Sequence, residues 1–154
     1  MNPELQQYQR QFTVARLIAF AMTVVSPAAF VIITLFVHPT PQPSEGITFV
    51  FYCLLIIAIV SPFLYMPIER VQLSNYLRIQ SKRMDPAQLF TTLTVVKLAF
   101  VEAIFIYGLL MYLLTADRTY LVYFYPIGIV WAVVYWPTEG KFEEMIAKVK
   151  AEHA

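Results

Sequence analysis

Lys97 and Glu102 are the side chains whose positions ask for chemistry. Both fall inside QLFTTLTVVKLAFVEAIFIYGLLMYLL (88–114), a run apolar and long enough to cross a bilayer. An ionised side chain at the bilayer centre costs roughly 2.5–3.5 kcal/mol on insertion scales, so each needs a partner, water or a change of protonation. Counted from Pro86, Glu102 lies roughly 24 Å along a helix rising about 1.5 Å per residue, close to the midplane. Lys97 lies nearer the polar loop that precedes the helix, where its long stem is expected to snorkel towards headgroups. Five positions separate the two, about 140° around the axis. An intrahelical ion pair wants three or four, so Glu102 is expected to be protonated, solvated or paired with another helix.

A carboxyl so placed has two readings. It binds and releases a proton or a cation, or it stays protonated and hydrogen-bonds a neighbouring helix, fixing the packing. Thr92, Ala99 and Ala103 form a small-residue stripe beside it that lets another helix approach closely. Tyr107 is expected to pack, with a hydrogen bond across an interface as the alternative. Glu102 is thus the candidate ion-binding residue, with Lys97, Tyr107, Thr92, Ala99 and Ala103 in support and no catalytic residue.

The composition fits such a helix. Of 154 residues, 59% are hydrophobic and only 14% charged, whereas a soluble domain usually carries about a quarter charged residues. The formal charge of +1 offers no basic stripe for nucleic acid. Cys53 stands alone in an apolar run, which excludes an intrachain disulfide, and with two distant histidines no metal or other cofactor is expected. No His/Cys/Asp cluster, phosphate loop or Ser-His pair within one leaflet suggests an enzyme.

The chain reads as a single all-α, four-span membrane domain over residues 1–154, two hairpins with surface helices at both ends. Residues 2–16 begin on Asn-Pro and put Tyr8, Phe12 and Ala15 on one face, either a short surface helix or a frayed terminus. Span one is 17–37, with no charge. It is too long for a cleaved signal peptide and no A-x-A-like site follows it, so its retention is expected. Ser26-Pro27 sits mid-span, where proline kinks a helix and frees a carbonyl. HPTPQPSEG (38–46) is a stiff turn, and span two, 47–66, repeats the pair as Ser61-Pro62. In the polar 67–86 loop, Leu73, Tyr76, Leu77 and Ile79 have helical periodicity for an amphipathic extension of span two. Asp85 is then the expected N-cap, and Pro86 the first residue, of span three, 88–114. Span four, 120–136, has aromatics at both ends in the interfacial pattern. In the tail, 138–154, Phe142, Met145, Ile146 and Val149 make an amphipathic helix for the membrane surface or a partner.

Nine bases, Arg10, Arg16, Arg70, Arg78, Lys82, Arg83, Lys141, Lys148 and Lys150, lie at the amino end, in the 67–86 loop and in the tail, against Arg118 alone in the two opposite loops. The expectation is a multi-pass protein of the cell (inner) membrane with both termini cytoplasmic.

Residues 85–110, DPAQLFTTLTVVKLAFVEAIFIYGLL, resemble the carboxy-terminal helix of the c subunit (proteolipid) of rotary ATP synthases, which reads roughly E-A-x-x-x-Y-G-L after a polar loop with a basic residue and a proline. The resemblance implies that Glu102 holds the proton- or sodium-carrying position, with Tyr107 and Gly108 behind it. The whole chain is also similar to small, uncharacterised four-span bacterial membrane proteins that share this helix and an aromatic-Pro exit into an amphipathic tail. Span two departs from the c subunit: it has no internal glycine, and Phe49, Phe51 and Tyr52 instead. In two-hairpin c subunits the carboxyl is in the fourth span, and here it is in the third. The expected partners are therefore membrane lipid and either further copies of the chain, as a homo-oligomer, or a larger membrane complex. In such a complex the alternative role is that of a non-catalytic accessory or assembly subunit.

Overall fold

A computed structural model describes residues 3–41, 46–75 and 85–151, without the side chains of 3–6, 66, 68, 70, 72–75 and 148–151. The described residues form an all-helical bundle. Helix α1 (Pro3–Phe20) runs through a π-helical turn (Ala21–Val25) directly into α2 (Ser26–Phe36). They are followed by α3 (Ile47–Asn75), α4 (Pro86–Thr115), α5 (Thr119–Tyr135) and α6 (Glu139–Ala151).

Three helical stretches are long and apolar enough to cross a membrane: Gln7–Phe36, Ile47–Tyr65 and Pro86–Thr115. Thr119–Tyr135 makes a fourth only if taken as one span with Glu139–Ala147, across a bend of 50°. Leu17, Ile32, Leu35, Phe49, Ile56 and Val133 are exposed on their outer faces, the surface a hydrocarbon solvent would cover. The first span starts well before residue 17 because surface helix and span are one continuous element.

The π-helical turn has a local cause. Pro27 has no N–H to give the carbonyl of residue 23, and its ring crowds that carbonyl. The chain widens by one residue just upstream, and the Ser26 N–H bonds Ala21 O. Tyrosines of α5 reach the carbonyls of both Ser-Pro prolines: Tyr125 Oη donates to Pro27 O at 3.2 Å and Tyr135 Oη to Pro62 O at 2.6 Å.

Helix α4 is central, with α1, α2, α3, α5 and α6 all packed on it. Asp85 caps it as expected, accepting from the Ala87 N–H at 3.0 Å, with Pro86 at the first position. It closes on Ala116 in the left-handed conformation, and Asp117 accepts from the Thr119 N–H at 2.8 Å to start α5. Hydrogen bonds from the Thr119 side chain and then its backbone N–H hold the Asp117 carboxyl below its usual range. The α4–α5 hairpin is tight. A Cβ on Gly128 would lie 2.6 Å from the Phe105 ring, and one on Gly108 would lie 3.2 Å from the Phe124 Cβ.

The tail folds back onto its own chain. Phe142 is buried with Ala15, Ala87 and Phe90, and Tyr8, Phe12, Met145 and Ile146 close around them. The amino-terminal face Tyr8–Phe12–Ala15 and the tail face are thus two halves of one cluster. Gln7 Nε2 also donates to Asp85 Oδ2 at 2.8 Å, so α1, the start of α4 and α6 meet at one end of the bundle. Tyr76, Leu77 and Ile79, bases Arg78, Lys82 and Arg83, and the middle of the 38–46 turn lie outside the described residues, as do the side chains of Arg70, Leu73, Lys148, Val149 and Lys150.

Candidate functional site

Helices α3 and α5 lie antiparallel to α4 and the first span runs parallel to it, which fixes the depth of each charge. Ala58 packs with Ile104, Ala132 with Val101 and Phe105, and Tyr65 with Leu93. Glu102 is therefore level with the middles of α3 and α5. Lys97 is level with Tyr65 and Tyr135, where the apolar part of α3 and the whole of α5 end.

Glu102 meets the first span. Ser26 Oγ donates to Glu102 Oε1 at 2.5 Å, and this is the carboxyl's hydrogen bond among the described residues. The carboxyl is only partly buried. The hydroxyl sits where the π-helical turn hands over to Ser26-Pro27, so a backbone already loosened by proline presents the partner. A serine hydroxyl suits both protonation states, since it donates to a carboxylate and accepts from a carboxylic acid. Among the described residues the carboxyl's contact is thus with another helix, through a neutral hydroxyl.

Lys97 does not stand alone as a snorkelling anchor. Its Nζ lies 2.6 Å from Glu69 Oε1 on α3, and 5.4 Å and 6.0 Å from the ring centroids of Tyr65 and Tyr135. The ammonium thus sits between a carboxylate and two ring faces, where cation–π attraction adds to the ion pair. Deleting one member of such a half-buried pair strands the other's charge, which costs more than the pair itself contributes. Lys97 and Glu102 turn to different neighbours, α3 and α2, as their separation around the helix requires.

The supporting residues divide. Tyr107 packs edge-on against Phe124 with centroids 6.3 Å apart. Thr92 and Ala99 are exposed and Ala103 is half-buried, so the small-residue stripe is largely uncovered by the chain's own helices. Thr92 Oγ1 donates to Gln88 O, one turn back.

Three residues that matter here were not among the sequence candidates: Ser26, Glu69 and Lys141. Lys141 lies past the bend, with Nζ donating to Val134 O at 2.7 Å and Trp136 O at 3.1 Å, the exposed carbonyls at the end of α5. Burial pushes its ammonium below the usual lysine range, and the Lys97 charge pushes the same way while Glu69 opposes both. Ser26 had a signal, the polar residue beside a mid-span proline, which sequence alone reads as a kink. No protein-family model, curated protein or solved structure matches the chain.

Proposed function

We propose that this is a four-span inner-membrane protein, both termini cytoplasmic, in which Glu102 binds and releases a proton or small cation near the midplane. It works as a homo-oligomer or inside a larger membrane complex. The observation that carries the reading is the Ser26–Glu102 contact, 2.5 Å long. A lone acid at the level of the spans' middles is held by one hydroxyl, at the one π-helical turn among the described residues. Wide turns of this kind are frequent at functional sites. The resemblance of 85–110 to the c-subunit helix supports the same position for the ion carrier. The gathering of α1, the start of α4 and α6 at one end supports a common side for the basic segments, and hence the orientation.

Purified protein in liposomes tests the function. A proton or sodium flux driven by an imposed gradient is expected, and it should be lost in Glu102→Gln. A hydrophobic carbodiimide should label Glu102 in a pH-dependent way, with a midpoint that moves in Ser26→Ala. Flux and labelling indifferent to both substitutions would end the reading. For the orientation, Arg118→Cys with Cys53 replaced should react with an impermeant maleimide on intact cells. Ala147→Cys should react only after permeabilisation.

The second reading is an accessory subunit in which Glu102 serves packing alone. It is favoured by a specific feature, the exposed Thr92 and Ala99 stripe that a foreign helix could cover. Co-purification with another subunit at fixed stoichiometry, with Glu102 inert to carbodiimide, would select it.

A further inference from the structure

A second polar site lies at the bundle end reached by Lys97. A cavity of about 310 Å³ opens between α3, α4, α5 and α6, with Glu69, Lys97, Lys141 and Glu144 on its wall. The rest of that wall is mostly apolar, including Phe90, Leu93, Val134 and Met145.

Donor counting describes what the cavity lacks. Two ammonium groups carry six N–H donors between them. Among the described residues three are used, one on Glu69 Oε1 and two on the α5 carbonyls Val134 O and Trp136 O. Glu69 is the carboxylate in direct contact with Lys97. Glu144 is exposed on the rim and has an interaction of its own. Lys141 is equally exposed, so the wall carries two cations and two carboxylates, with three N–H donors left over. An anion with several acceptor oxygens would take up these donors, and a tetrahedral phosphate fits such a volume.

We propose that this cavity binds a phosphate ester between Lys97 and Lys141, with the apolar wall holding the carbon skeleton attached to it. The ester is the headgroup phosphate of a membrane phospholipid or a soluble phosphate, the same chemistry from two sources. The level of the cavity, where α3's apolar stretch and α5 end, favours the lipid. The site is separate from Glu102, and its fate does not depend on the ion-binding reading.

Native mass spectrometry of the full chain in detergent, titrated with phosphatidylglycerol, with diacylglycerol of the same acyl chains, and with glycerol 3-phosphate, tests this. One saturable phosphatidylglycerol adduct is expected, about tenfold or more weaker in Lys141→Gln and restored in Lys141→Arg. Diacylglycerol should give no saturable adduct. Arg118→Gln, at the far end, should bind as the parent does. Met145→Trp, which fills the cavity and leaves both lysines in place, should also lose the adduct. It serves as the second variant should Lys141→Gln melt early. Saturable glycerol 3-phosphate binding that needs Lys141, without lipid binding, keeps the phosphate and assigns the soluble source. Adducts of both phosphate probes insensitive to Lys141→Gln and Met145→Trp, or no saturable adduct of either, overturn the proposal.

Discussion

At the residue scale, the contact between Ser26 and Glu102 makes separable predictions. Glu102→Gln keeps a hydrogen-bonding group, so the fold should survive with unchanged secondary structure. Glu102→Ala and Ser26→Ala should each weaken the bundle, by roughly 0.6 to 2 kcal/mol, the range of interhelical hydrogen bonds in membranes. A double-mutant cycle measured by unfolding in mixed micelles should show coupling between them, and strict additivity would mean that the bond contributes nothing. The depth of Glu102 was readable from its distance to Pro86, but its partner was not. Ser26 lies 76 residues away, and only the folding of the first span against α4 brings them together. Glu69 escaped for the same reason at a separation of 28, although the need for some partner to Lys97 was plain from the cost of an unpaired charge.

At the scale of elements, the α4–α5 hairpin is held by shape and its turn by a cap. Gly128→Ala would drive a methyl group into the buried Phe105 ring, and such overpacking typically costs about 1–3 kcal/mol. Gly140→Ala is its control, because nothing lies within 4 Å of the added carbon. There stability should stay the same or rise slightly, because Gly140 lies in the first turn of α6. Thermal melts in one detergent compare the pair directly, and equal effects would remove the packing account. Asp117→Ala should cost about 1 kcal/mol through the lost cap on the Thr119 N–H. Because the folded carboxyl titrates below its unfolded value of 3.8, the stability it adds is full above that pH and drains away as the pH falls through the folded value. The parent's melting temperature should therefore drop more steeply than that of Asp117→Ala below about pH 4. Asp85-Pro86 announced the start of α4 unaided, since an N-cap and a first-turn proline are local chemistry. The π-helical turn was not legible, because proline predicts a disturbance without specifying its form.

For the whole molecule, the decisive contact is between the first helix and the last. Phe142 stacks near Phe12, Tyr8 and Phe90, with centroids 5.0 to 6.4 Å apart. Phe142→Ala should cost about 3 kcal/mol or more, as for other buried phenylalanines. It should also make the tail a ready target for limited proteolysis in micelles. A tail that stays resistant in this variant would mean that lipid or detergent holds it instead. The apolar faces of both terminal helices were visible in the spacing of their residues. That they would bury one another was beyond reach, because an amphipathic face specifies that it needs cover and is silent about the source.

This arrangement imposes an order on biosynthesis. Tyr8, Phe12 and Ala15 leave the ribosome well before the ring that seals them, which belongs to α6, after the other described helices. Through the insertion of all the intervening spans that greasy face must wait uncovered or borrow a temporary neighbour. A nascent chain stalled before residue 139 is accordingly the form most exposed to quality control.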